Sequence, residues 1–211
     1  ILGDLNADLG LKSFPLSHLE EILGFSMAGN LSAKGQIKGP LTGLTSDFSL
    51  RVLNPQVGGF RLQEEWIGSF AGESAGGGSL QMKSTSAVLP GTLKAKLRKN
   101  WLPEKLTISR KGGTLSLQQK GDGYRWKLKD FNLEGVEIAI SPKKSFEAIY
   151  GLVSGQGGLG LSPFAFDGDI VMSYLRFMGF KLQEAKLKGS FVESNYKLTA
   201  ELSPPTQGSF L

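Results

Sequence analysis

The chain contains no cysteine. That excludes disulfides, thiolate nucleophiles and sulfur-ligated metals together. It contains one histidine, His18. The usual zinc sets need several Cys or His side chains, and a Ser-His-Asp triad needs its histidine beside a nucleophilic serine. His18 sits between Ser17 and Leu19 with Glu20 and Glu21 following, which reads as a helix-surface histidine. No apolar run approaches the ~20 residues that cross a bilayer as a helix. No Gly-Lys-Ser/Thr of a phosphate loop occurs. The chain opens at Ile1 without a methionine and already in strand rhythm, so a segment cut from a longer protein is expected. A signal peptide or membrane anchor could then lie outside it.

Glycine is abundant, with 29 among 211 residues, about twice its usual share of roughly 7%. The glycines are scattered between short apolar runs, as turns and bulges require. The net charge of +5 is uneven: residues 91–130 hold 11 Lys/Arg against 3 Asp/Glu, and the rest of the chain 13 against 16. This basic block reads as a solvated outer face, or as attraction to an anionic membrane surface or anionic partner. Nucleic acid fits less well, because its grooves interleave cations with stacking aromatics, and the aromatics here fall at apolar-face positions.

The dominant pattern is alternation, the mark of half-buried strands. Leu5, Ala7, Leu9 and Leu11 oppose Asp4, Asn6 and Asp8. Leu31, Ala33 and Ile37 oppose Ser32, Lys34, Gln36 and Lys38, and Phe48, Leu50 and Val52 oppose Asp47, Ser49 and Arg51. Asn54-Pro55 is expected to turn the chain into Phe60 and Leu62, then Trp66 and Phe70. The Gly/Ser stretch 72–79 reads as a loop and as the best candidate for mobility. Leu93, Ala95 and Leu97 oppose Lys94, Lys96 and Arg98. Leu115 and Leu117 lead through a tight Gly121-Asp122-Gly123 turn to Trp126 and Leu128, with Arg125, Lys127 and Lys129 on the other side. Val136, Ile138 and Ile140 follow, and a last block carries Phe180, Leu182, Leu187, Phe191, Tyr196 and Leu198.

Two stretches break the rhythm. Ser13-Phe14-Pro15 followed by Leu16, Leu19, Ile22 and Leu23 predicts a short amphipathic helix with Ser13 as cap and Gly24 as stop. Ser145 to Val153, with Phe146, Ile149, Tyr150 and Val153 on one stripe, predicts a second. Gly155-Gln156-Gly157-Gly158-Leu159-Gly160 matches the dinucleotide fingerprint, but that motif works between a strand and a following helix. Here the expected order is helix, glycine stop, strand. Glu64 and Glu65 are strand neighbours that face opposite ways. Asp167 and Asp169 share a face and read as a turn or polar edge, with a calcium site as the alternative. No catalytic residue, metal or cofactor is assigned, and the chain is not expected to be an enzyme.

The chain also repeats itself. Gly59-Phe60-Arg61-Leu62-Gln63-Glu64 returns as Gly179-Phe180-Lys181-Leu182-Gln183-Glu184, and Gly68-Ser69-Phe70 as Gly189-Ser190-Phe191. A repeat points to function made by stacked units: 13–79 as a first helix-plus-strands unit, 80–140 as an intervening strand block and 145–211 as a second unit. The expected fold is all-β with two short helices, as an elongated, curved, antiparallel-rich sheet (a β-taco or half-pipe) with an apolar interior; a closed β-sandwich is the alternative. The residues expected to line an apolar groove for lipid are Leu31, Ile37, Phe48, Leu50, Val52, Phe60, Leu62, Trp66, Phe70, Leu93, Leu97, Leu115, Leu117, Trp126, Leu128, Ile138, Phe180, Leu182, Phe191 and Leu198.

A short helix, a glycine stop and strands punctuated Gly-x-Leu/Ile-x-Gly, above all Gly29 to Leu41 and Phe48-Ser49-Leu50 leading to Asn54-Pro55, resemble the repeats of the TamB family. That family belongs to the AsmA-like superfamily, with cyanobacterial relatives and a chloroplast inner-envelope counterpart. The resemblance implies a protein tethered to the inner membrane by a segment outside this chain. It implies a periplasmic location, or the plastid intermembrane space, and a taco-shaped sheet with a hydrophobic interior. It further implies phospholipid acyl chains as cargo, or support of outer-membrane protein assembly or protein translocation, with an Omp85-class outer-membrane partner. It carries no catalytic residues. A β-sandwich binding or adhesion module without a groove is the competing expectation, and exposed sheet ends could make an oligomer of the chain.

Overall fold

The computed structural model describes residues 3–23, 26–140, 145–161, 164–192 and 195–204. The chain divides into two compact units, Ile1–Leu106 and Thr107–Leu211, and both are nearly all strand. The first unit holds β1 (Asp4–Pro15), β2 (Met27–Pro40), β3 (Thr45–Val57), β4 (Phe60–Leu62), β5 (Trp66–Gly72), β6 (Gly78–Ser84) and β7 (Gly91–Leu97). Strand β8 (Pro103–Arg110) carries the chain across the unit boundary. The second unit holds β9 (Gly113–Lys120), β10 (Gly123–Asn132), β11 (Val136–Ala139), β12 (Phe146–Leu161), β13 (Phe164–Phe177), β14 (Phe180–Val192) and β15 (Asn195–Ser203).

Each unit is one antiparallel meander. The order is β1-β2-β3-β5-β6-β7 in the first, with β4 on the end of β3, and β9-β10-β12-β13-β14-β15 in the second, with β11 on β12. Neither unit is built from two packed sheets, so the closed sandwich is not formed. Short turns explain the order, because two-residue hairpins can only join antiparallel neighbours. The expected Gly121-Asp122 turn is such a hairpin, pairing Lys120 with Gly123, and Gly121 takes a left-handed φ of 59°. The expected loop at 72–79 is shorter: Gly72 ends β5 and Gly78 and Ser79 open β6, leaving a turn over 73–77 in which Gly76 N–H donates to the Glu73 carbonyl at 2.9 Å.

Register shifts punctuate the long strands: between Leu11 and Phe14 in β1, Ala28 and Asn30 in β2, Leu128 and Phe131 in β10, and Tyr150 and Leu152 in β12. Such bulges bend and twist their strands. One of them overturns an expectation. Asn54-Pro55 does not turn the chain but lies inside β3, where Leu53 pairs with Asn30 and Gln56 with Ala28. Two residues there oppose one. Asn54 accepts the left-handed φ of 49° that the bulge needs, and Pro55 loses no ladder bond at an unpaired position. The turn follows at Gly58-Gly59.

The first helix is reduced to a 3-10 turn, Leu16–Leu19, and an α-helical turn α1, Glu20–Leu23. Leu16 is buried against the sheet side while His18 is exposed, edge-on to Phe14 at 5.4 Å. Ser13 is not its cap. Ser13 lies in β1 with φ 51°, and its N–H donates to Ser32 Oγ at 3.1 Å. The cap position is Pro15, with no side-chain bond. The Glu20 carboxylate ties the segment down instead, accepting from Met27 N–H at 2.9 Å and Ser26 Oγ at 3.1 Å. Gly24, the expected stop, and the side chains of Ile22 and Leu23 lie outside the described residues.

The second helix does not exist: 146–161 is strand β12. Positions i and i+4 share a face in a strand as well as in a helix, so Ile149 and Val153, both buried, fit either period. The register shift beside Gly151 brings Ile149 opposite Val136 and Phe177, and sheet pairing decides the conformation. Ile149→Ala is therefore expected to lower stability by about 2–5 kcal/mol. Leu198→Ala, at a position 68% exposed, should cost under about 0.5 kcal/mol. Urea unfolding followed by circular dichroism measures both.

Candidate functional site

Cross-strand register sorts the side chains into rows, since residues opposite one another share a face. In the first unit one row runs Phe14, Leu31, Val52, Trp66. The next runs Leu11, Ala33, Leu50, Gly68, Met82, Leu93, and the next Leu9, Gly35, Phe48, Phe70, Leu80, Ala95. A fourth joins Ala7, Ile37, Ser46, Gly72, Gly78 and Leu97. The expected lining residues of β2, β3, β5 and β7 thus stand on one face. Lys34, Ser49, Ser69, Gln81 and Lys94 form a row on the other.

The second unit repeats the arrangement. Leu115, Leu128, Gly155, Ile170, Leu187 and Ala200 form one row. Leu117, Trp126, Gly157, Gly168, Gly189 and Leu198 form the next, and Tyr124, Leu159, Phe166, Phe191 and Tyr196 the one beyond. Of the three glycines in one row, Gly157 and Gly168 leave a space that Trp126 fills, and Gly189 lies against Leu198. Its indole stacks on Phe166 at 5.6 Å with 5° between the planes. A Cβ added at Gly157 would stand 2.6 Å from Trp126 Cζ2, and one at Gly168 2.9 Å from Cη2. Two of the fingerprint glycines thus serve this apolar face, and the whole motif lies within β12, not at the start of a helix. Gly72-Glu73-Ser74-Ala75-Gly76 has the letters of a hydrolase nucleophile elbow, but it joins two strands, whereas an elbow runs from strand to helix.

These apolar faces are only partly covered. Of the row members, Trp66, Ala95 and Tyr124 are buried, whereas Leu9, Leu11, Tyr196 and Leu198 are exposed. Most expected lining residues, Leu50, Leu93, Leu117 and Trp126 among them, are half-buried. Exposure peaks on β15, which among the described residues pairs only with β14, at Tyr196 (82%) and Leu198. On β11, Ile138 is half-buried, opposite Glu147.

The two copies of the hexapeptide share a different role. Gly59 and Gly179 are each the second residue of a hairpin turn, after Gly58 (φ 57°) and Met178 (φ 49°). Phe60 then pairs with Val57, and Phe180 with Phe177. Phe60 is 58% and Phe180 74% exposed, while Leu62 and Leu182 are half-buried. Leu182 pairs with Leu175 and stands an odd number of residues from Ala185, Leu187 and Phe191, so simple alternation does not carry it into their rows. The second echo does hold the face: Gly68 and Phe70, like Gly189 and Phe191, are in apolar rows, with Ser69 and Ser190 opposite.

The polar face of the second unit forms a groove of about 850 Å³. Its floor is the glycine row, Gly157, Gly168 and Gly189, with Trp126 beside it. One wall carries Gln118, Arg125, Asp167, Ser190 and Lys197, and the other Ser116, Lys127, Gln156, Asp169, Lys188 and Thr199. Asp167 and Asp169 are therefore mid-strand residues of β13, not a turn or an edge. Lys188 Nζ lies 3.7 Å from Asp169 Oδ1, and no group of three His, Cys, Asp or Glu able to hold a metal occurs among the described residues. Nearby, the hydrogen bond and the charge of Glu184 raise the pKa of Lys186, with Nζ 3.1 Å from Oε1. Elsewhere, Glu64 is buried at 4% exposure and Glu65 pairs with Arg51.

Alternation exposed most of the rows; Leu9, Met82, Ile170 and Leu187 also stand in them but are not among the expected lining residues. The glycine row was hidden because glycine carries no polarity signal.

Gly168→Val should force the indole off the row. A red-shifted tryptophan emission and a loss of about 1–3 kcal/mol are expected, measured by fluorescence and urea unfolding. No protein-family model, curated protein or solved structure matches the chain.

Proposed function

We propose that the chain is a segment of a TamB-like bridge between two membranes, and that its apolar faces shelter phospholipid acyl chains in transit. The observation that carries this reading is the set of continuous apolar rows left half-covered in both units. A soluble sheet of this size ordinarily covers such a face with a second layer. An uncovered one is a liability unless it has a guest. Covering it with hydrocarbon is favourable by roughly 0.8 kcal/mol per buried CH₂. The same face would suit the apolar side chains of an unfolded outer-membrane protein, which is how assembly with an Omp85-class partner or protein translocation enters the proposal. The setting is periplasmic or the plastid intermembrane space, with the membrane tether outside this chain. No catalytic step, cofactor or metal is part of it. Among the described residues the outer strands β1 and β15 each have one neighbour, and unpaired edges recruit further strands, so copies of the chain are expected to associate.

Photocrosslinking in cells tests the reading. Benzoylphenylalanine at Leu50, Leu93 or Leu117 is expected to capture phospholipid, and at Arg51 or Lys94 to capture none. Equal labelling at all five positions would sink the proposal.

A further inference from the structure

The groove on the polar face of the second unit has a charge pattern that selects a ligand. Its cations stand at two ends. Arg125 and Lys127 are on β10, and Lys188 and Lys197 are on β14 and β15. Three strand spacings separate β10 from β14, about 14 Å. Between them, on β13, stand the exposed carboxylates Asp167 and Asp169. Lys188 leans on Asp169 at 3.7 Å. Arg125, Lys127 and Lys197 make no ion pair among the described residues. All three are exposed.

A continuous polyanion lying along this groove would meet both carboxylates. Separate anionic groups would meet only the ends. Nucleic acid is disfavoured a second way: Tyr124, Phe166 and Phe191 register on the opposite face, and Trp126, which borders the groove, is already stacked on Phe166, so it is not a free platform for bases.

We infer that this face docks on an anionic phospholipid surface, with headgroup phosphates held at the two ends of the groove by Arg125 and Lys127 and by Lys188 and Lys197. The docking uses the polar face and is independent of any acyl chain on the apolar face. It also assigns part of the basic block, since Arg125 and Lys127 belong to it while Lys188 and Lys197 come from sequence far beyond it.

Vesicle co-sedimentation of the whole chain decides the matter. Vesicles of equal parts phosphatidylcholine and phosphatidylglycerol should bind, pure phosphatidylcholine should not, and added salt should release the protein. Arg125→Gln with Lys127→Gln, and Lys188→Gln with Lys197→Gln, should each weaken binding roughly tenfold or more. Lys94→Gln with Lys96→Gln removes as much charge from the first unit and should change binding less than about threefold. Glycerophosphoglycerol in solution separates the sources: failure to displace the protein supports a surface, and full displacement at low concentration would mean a soluble phosphate site and overturn the docking. Equal losses in all three double variants would reduce the effect to net charge and overturn the site. So would tighter binding to single-stranded DNA than to the vesicles.

Discussion

Cross-strand register is the constraint on which everything else rests. A slip of one residue between β12 and β13 would place Asp167 and Asp169 where Phe166, Gly168 and Ile170 now stand, exchanging the faces along the whole strand. Short turns and paired bulges hold that register. At Asn54-Pro55 the extra residue is absorbed opposite Gly29, where an added Cβ would lie 2.7 Å from the Leu53 and Asn54 carbonyl oxygens. The glycine and the bulge require each other. Tyr174 (φ 54°) beside Gly151 (φ 140°) makes a comparable arrangement in the second unit.

Most of this architecture was legible because a strand writes its faces into every second residue. Leu31, Val52 and Trp66 come from distant parts of the chain and still fall in one row, as alternation requires. The failures also have a physical pattern. Ser145–Val153 reads as a helix because Phe146, Ile149, Tyr150 and Val153 satisfy a 3.6-residue period, and only pairing with β11 and β13 reveals the strand. Asn54-Pro55 reads as a turn because residues that tolerate turns also tolerate bulges. The groove on the polar face could not be read locally, since Arg125 and Lys197 are joined by four strand pairings and by nothing in sequence.

The division of labour between faces follows from the same register. Hydrophobic side chains that face one way leave polar ones facing the other, so every strand contributes to two surfaces at once. Glycine is the exception. At Gly157, Gly168 and Gly189 a strand contributes backbone alone, and Trp126 takes the room at the first two and Leu198 at the third. The two echoes in the sequence divide likewise. Gly-Ser-Phe repeats a face, and the hexapeptide repeats a hairpin exit.

The row of three glycines also has a mechanical meaning. A pleated sheet resists bending because side chains on its inner face collide as it curls. Gly157, Gly168 and Gly189 carry hydrogen instead, and glycine within a strand often marks a tight bend or a close approach. Trp126 takes the room over Gly157 and Gly168, and Leu198 lies at Gly189, so the space into which such a bend would close is already occupied.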